Sequence, residues 1–161
     1  MCIKMSSLPK SLPLGYSLLL AGLLCIANTA VGHYLAPFGI LLTPVVIGLL
    51  VSLLLPLKAT YSSTLLRVFL LALLICAHDI GIKLYAGGTH DIEGQGFIHA
   101  LLFMGLLPAY GYILYSAIRQ QGLPLLTRVS VSLLFPLVIS LHLFFFANVG
   151  YEFANERFAG C

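Results

Sequence analysis

The chain reads as an all-α, polytopic bundle of membrane-spanning helices. Three observations predict this. Of its 161 residues 60% are hydrophobic and 8% charged, with a mean hydropathy of +1.06, whereas a soluble domain is roughly 45–50% apolar. A soluble protein of this size has no place to hide so much apolar surface, so lipid must solvate its outside. The apolar residues gather into runs near the length of about 17–25 residues that a helix needs to cross a bilayer. None of the runs alternates with period two, as barrel strands would.

The runs cover about 14–34, 38–57, 64–85, 97–118 and 125–149, which predicts five spans in a single membrane domain over 1–161. Lys4 and Lys10 ahead of the first run resemble the basic head of a signal peptide. Asn28 two residues before Ala30, at the −3 position of that site, makes a poor cleavage site, and Leu24 before Cys25 argues against lipoprotein processing, so this run is expected to stay as the first helix. Only Leu35-Ala36-Pro37 separates it from the second run, which predicts a tight helical hairpin. The third run, LLRVFLLALLICAHDIGIKLY, ends in polar residues. Pro44, Pro108 and Pro136 fall inside runs and are expected to bend their helices. Gly105, Ala109 and Gly111 suit close approach of the fourth helix to a neighbour.

Charge orients the bundle. With five helices, Lys4, Lys10, Lys58, Arg67, Arg119 and Arg128 share one side, and Lys83 and Arg157 the other. An excess of Lys and Arg marks the cytoplasmic side, so the N-terminus is expected in the cytoplasm and the C-terminus outside it, in a bacterial cytoplasmic membrane. Tyr34, Tyr85 and Tyr151 then fit the outer interface, and Tyr16, Tyr61 and Tyr115 the inner one, in a chain without Trp. Membrane lipid is the expected partner, with other membrane subunits as a further possibility. The net charge of +3 comes from basic residues spread singly, which excludes a nucleic-acid surface. The four cysteines include no CxxC, so zinc-ribbon and thioredoxin-like readings fall away.

The polar residues are the functional signal. The stretch HDIGIKLYAGGTHDIEGQGFIH, from His78 to His99, carries three of the five histidines and both aspartates. In the five-span topology all five histidines and all five carboxylates fall in the outer half. A rise of 1.5 Å per residue puts His78 and His142 each roughly 10–12 Å below the outer helix ends. Asp79 is the costliest, since a charge deep in a helix costs about 2.5–3.5 kcal/mol on insertion scales and is expected to face the bundle interior or a water-filled cavity, protonated or paired. Lys83, one turn on, is a partner at i,i+4. His78 and Asp79 project about 100° apart, so the carboxylate is expected to orient a histidine from another helix. His142, at the same depth, is the candidate. The loop 86–96, AGGTHDIEGQG, is either a solvated connector or a lid carrying His90, Asp91 and Glu93.

Three function classes follow. In the first, His78, His90, Asp91, His99 and His142 supply ligands to Zn, Cu or Fe, with Asp79 and Glu93 as catalytic groups acting on a membrane-soluble substrate. No HExxH or HxxxH accompanies them. In the second, His78 and His142 hold a haem in an electron-transfer subunit. In the third, the polar cap is a docking surface in a larger complex. A proton or ion path through the bundle is disfavoured, because the inner half offers only neutral groups such as Tyr110, Tyr112 and Ser116.

Overall fold

The computed structural model describes residues 12–55, 61–86, 92–119 and 124–149, and all regular structure among them is helical. α1 (Leu14–Tyr34) and α6 (Leu125–Phe146) start directly after Pro13 and Pro124, whose locked φ makes a sharp helix entry. α4 spans Tyr61–Tyr85. α5 spans Ile92–Arg119 and runs on through Pro108, as α6 does through Pro136.

The second apolar run departs from expectation. It forms α2 (Phe38–Leu41) and, after Leu42, α3 (Thr43–Leu54). Pro44 explains the break. Its nitrogen has no hydrogen for the Ile40 carbonyl, and its ring would strike that carbonyl in a continuous helix. In the first turn of a new helix the missing N–H costs nothing, so the expected bend becomes a restart. Four helices are thus long and apolar enough to cross a membrane, namely Leu14–Tyr34, Thr64–Tyr85, Glu93–Arg119 and Leu125–Phe146, while Thr43–Leu54 is shorter. A second departure concerns the loop 86–96, because α5 begins at Ile92 and takes Glu93 into its first turn. An acid there meets the positive end of the helix.

Contacts between side chains and backbone fix the helix directions. Asp79–His142 and Lys83–Phe146 share a sequence offset of 63, so α4 and α6 run parallel. Asn28–His78 and His33–Tyr85, with offsets of 50 and 52, make α1 and α4 parallel as well. α3 and α5 run together in the other direction, since a Cβ on Gly105 would meet Ile47 and the Tyr112 hydroxyl reaches the Leu55 carbonyl. The helices pack in a ring ordered α1, α3, α5, α6, α4, with α3 also touching α4 across the middle. One end of the ring gathers His33, Asp79, Lys83, Gln95 and His142; the other gathers Ser17, Leu54, Arg67, Tyr112 and Thr127.

Burial is inverted relative to a soluble protein. Ser17, Asn28, Arg67, His78, Asp79, Lys83, Thr127 and His142 are buried, whereas Leu19, Leu23, Ile26, Leu107, Leu133, Leu137, Phe144 and Phe145 are exposed. Such a perimeter is what hydrocarbon solvates, and the polar groups inside are hidden from it. Within the core, Ile47, Leu50, Leu71, Ile75, Leu102, Ile113 and Val131 are almost fully buried, and Cys25 and Cys76 serve there as small buried hydrophobes with free thiols.

Two close approaches hold the hairpin and the α3–α5 seam. A Cβ on Gly39 would collide with the backbone of Gly32 and Asn28, so only glycine lets α2 fold back on α1. Gly105 sits against Pro44 and Ile47, and Ala109 is buried nearby, whereas Gly111 faces open space and takes no part in the seam.

Candidate polar site at one end of the bundle

Asp79 lies on α4 where that helix faces α6, six residues before its end. Its Oδ2 accepts from Lys83 Nζ at 2.6 Å and from His142 Nε2 at 2.7 Å, among side chains no more than 4% exposed. Lys83 follows Asp79 by one turn of α4, which puts the two side chains on one face. Its ammonium also donates to the Phe146 carbonyl, at 3.2 Å. That carbonyl belongs to the last turn of α6, where backbone oxygens lack helical donors. α1, α4 and α6 all end here, each with a partial negative charge at its C-terminus. Lys83 therefore serves two needs, the carboxylate and a helix end. The His142 ring stacks on Phe146 at 5.5 Å between centroids, which fixes its orientation further.

His78 occupies the other flank of α4. Asn28 of α1 donates through Nδ2 to the Gly39 carbonyl at 2.9 Å and approaches His78 Nε2 at 3.4 Å. An amide nitrogen only donates, so His78 Nε2 accepts and Nδ1 carries the hydrogen. His78 Nδ1 and Asn28 Oδ1 are buried without partners. The sequence reading missed Asn28, although a lone amide in an apolar run carries the same warning as a lone charge.

The remaining candidates disperse. His33 is exposed and donates through Nδ1 to the Tyr85 carbonyl at 3.0 Å, tying the ends of α1 and α4 together. His99 turns back along α5, its Nδ1 donating to the Gln95 carbonyl at 2.8 Å. Gln95, also missed in the sequence, reaches the Val149 carbonyl at 3.0 Å and joins α5 to the end of α6. Glu93 is exposed at the start of α5. His90 and Asp91 lie outside the described residues.

The donor geometry bears on cofactors. Iron held between two histidines needs two facing nitrogens. His78 and His142 point to opposite flanks of α4, and each has its Nε2 engaged by a protein group. The pair does not fit a haem. Among the described residues no three His, Cys, Asp or Glu side chains converge as a metal-ligand set. The ammonium of Lys83 already stands where a cation would meet Asp79.

An open-sided groove of about 460 Å³ lies elsewhere, between α3 and α5, lined by Gly48, Ser52, Leu55, Gly105 and Tyr112 among others. It belongs to the middle and the opposite end of the bundle, away from Asp79. No family model, curated protein or solved structure matches the chain.

Proposed function

We propose that this is a five-pass protein of a bacterial cytoplasmic membrane, N-terminus inside and C-terminus outside, with an acid–base site for a membrane-soluble substrate in its outer half. The alternation of helix directions supports five passes, α2 and α3 together making the second. The excess of Lys and Arg at the end opposite Asp79 supports the orientation.

One observation carries the site: Asp79 Oδ2 is shared by Lys83 Nζ and His142 Nε2 in a buried interface. Ionisable groups at this depth are expensive, and membrane proteins keep them where they have work to do. Asp79 holds the Nε2–H of His142, which leaves Nδ1 with a lone pair able to take up a proton. Lys83 keeps the carboxylate charged and compensated. A metal-dependent form of the same site would need His90 and Asp91 to complete the ligands, with Glu93 as the acid nearest the mouth.

The test is diethyl pyrocarbonate added to the folded full chain in detergent, with peptide mass spectrometry to find the modified histidines. The expected result is modification of His142 in the folded protein, slowed several-fold in Asp79→Asn, where the tautomer is no longer fixed. A His142 that reacts only after denaturation would reduce the cluster to a helix lock and overturn the acid–base reading.

A further inference from the structure

The end of the bundle opposite Asp79 has a charge imbalance that the polar site does not explain. α1, α4 and α6 run parallel, so their three N-termini meet at this end, and helix N-termini carry partial positive charge and unbonded N–H groups. None of the three has an acidic residue in its first turn, and neither α1 nor α6 has a side-chain cap. The two helices that end here are differently treated. The Leu54 carbonyl at the end of α3 accepts from Arg67 Nη1 at 3.1 Å, the Leu55 carbonyl accepts from the Tyr112 hydroxyl at 3.3 Å, and α5 carries Arg119 in its last turn. Negative helix ends are met by donors, and positive ends by no acid. Both described carboxylates, Asp79 and Glu93, belong to the far end.

Buried donors lie near the same level. Offsets of 50 and 52 between α1 and α4 put Ser17 level with Arg67 to within a turn, and the offset of 63 between α4 and α6 puts Thr127 within a turn of it, on the other flank of α4. Ser17, Arg67 and Thr127 are all buried, at 0%, 9% and 1% exposure. Ser17 Oγ, Arg67 Nε and Thr127 Oγ1 have no hydrogen-bond partner. Three unpartnered buried donors beneath three positive helix ends are complementary to a phosphate. The groove between α3 and α5 starts at Leu55 and Tyr112, beside the carbonyl that Arg67 holds, and extends to Gly48 and Gly105. Seven residues of helix make that path roughly 10 Å long, through apolar lining toward mid-membrane.

We infer that this end binds the phosphate of an anionic phospholipid at Arg67, Ser17 and Thr127, with an acyl chain in the α3–α5 groove. The phosphate chemistry is shared with free phosphate; the groove selects the lipid. The site is independent of the Asp79 cluster.

The test is lipid titration of the purified full chain in detergent, read by native mass spectrometry, with phosphatidylglycerol, phosphatidylcholine and inorganic phosphate as probes. Phosphatidylglycerol is expected to be retained in preference to phosphatidylcholine. Arg67→Gln should bind it roughly tenfold more weakly, as loss of a charged hydrogen bond implies. Because Arg67 also caps α3, the near-isosteric pair Ser17→Ala and Thr127→Val tests the phosphate contacts with the fold kept, and Gly48→Leu tests the groove; each should weaken phosphatidylglycerol retention several-fold. Equal retention of both lipids, or wild-type binding in all variants, would overturn the site. Binding of inorganic phosphate without phosphatidylglycerol would overturn the lipid assignment.

Discussion

His142 Nε2 donates to Asp79 Oδ2 at 2.7 Å across the α4–α6 interface, and this bond joins two helices that run parallel. Parallel neighbours bring like ends together. Three helix C-termini therefore meet at the end that holds the carboxylate, and Lys83 supplies a cation to Asp79 and to the last turn of α6.

The cluster should be fragile to single changes and tolerant of complete replacement. Asp79→Ala leaves Lys83 buried without its counter-charge and should cost about 3–5 kcal/mol. The triple variant Asp79→Leu, Lys83→Met, His142→Leu removes every charge together and should unfold within about 1–3 kcal/mol of the wild type, since apolar packing replaces the buried ion pair and only the Lys83 bond to Phe146 goes uncompensated. Unfolding midpoints in mixed micelles compare the two. A triple variant weaker than the single one would contradict this account.

Lys83→Met should loosen the end of α6 in particular. The Phe146 carbonyl keeps only the Val149 N–H at 3.3 Å, and loss of a hydrogen bond from a charged donor costs about 1–3 kcal/mol. Amide hydrogen exchange over 143–149 should quicken several-fold more than exchange at the centre of α6. Lys83→Arg keeps a donor there and should exchange more slowly than Lys83→Met.

Two glycines give opposite outcomes on the same substitution. Gly39→Ala places a methyl group against the Gly32 backbone and the Asn28 carbonyl, and such overpacking costs about 1–3 kcal/mol or more. Gly48→Ala meets nothing within 4 Å and should gain about 0.5–1 kcal/mol from helix propensity. Thermal unfolding of both variants in one detergent checks the sign of each.

Haem supplied during expression should leave the purified protein without a Soret band. His78 Nε2 is held by Asn28 and His142 Nε2 by Asp79, on opposite flanks of one helix. An absorption spectrum of the detergent-purified chain decides this in one measurement. A Soret band lost in both His78→Ala and His142→Ala would require the two rings to face each other, against the geometry described.

Much of the architecture was legible because it depends on sums over many residues. Apolar runs of about twenty residues announce helices in lipid wherever their neighbours lie, and the hairpin at Leu35-Ala36-Pro37 follows from its shortness. The break at Leu42 was harder to read. A proline inside a membrane helix either bends it or restarts it, and what surrounds Ile40 and Pro44 selects between them. Asn28 and Gln95 escaped notice because an uncharged amide calls for no counter-charge, yet both became ties between helices once buried beside carbonyl groups.

By itself the sequence determined a chain of apolar helices long enough to cross a membrane, the separation of the described carboxylates and histidines from Arg67, Arg119 and Arg128, and the Asp79–Lys83 pair. Each of these is local, or a total over one helix, so chain chemistry suffices. Depth along the helices named His142 as the candidate, but only the tertiary structure put its Nε2 on Asp79. That contact depends on α6 lying parallel to α4 and on the rotation of each helix about its axis. Packing across all the helices sets both, and no stretch of the chain carries that information alone.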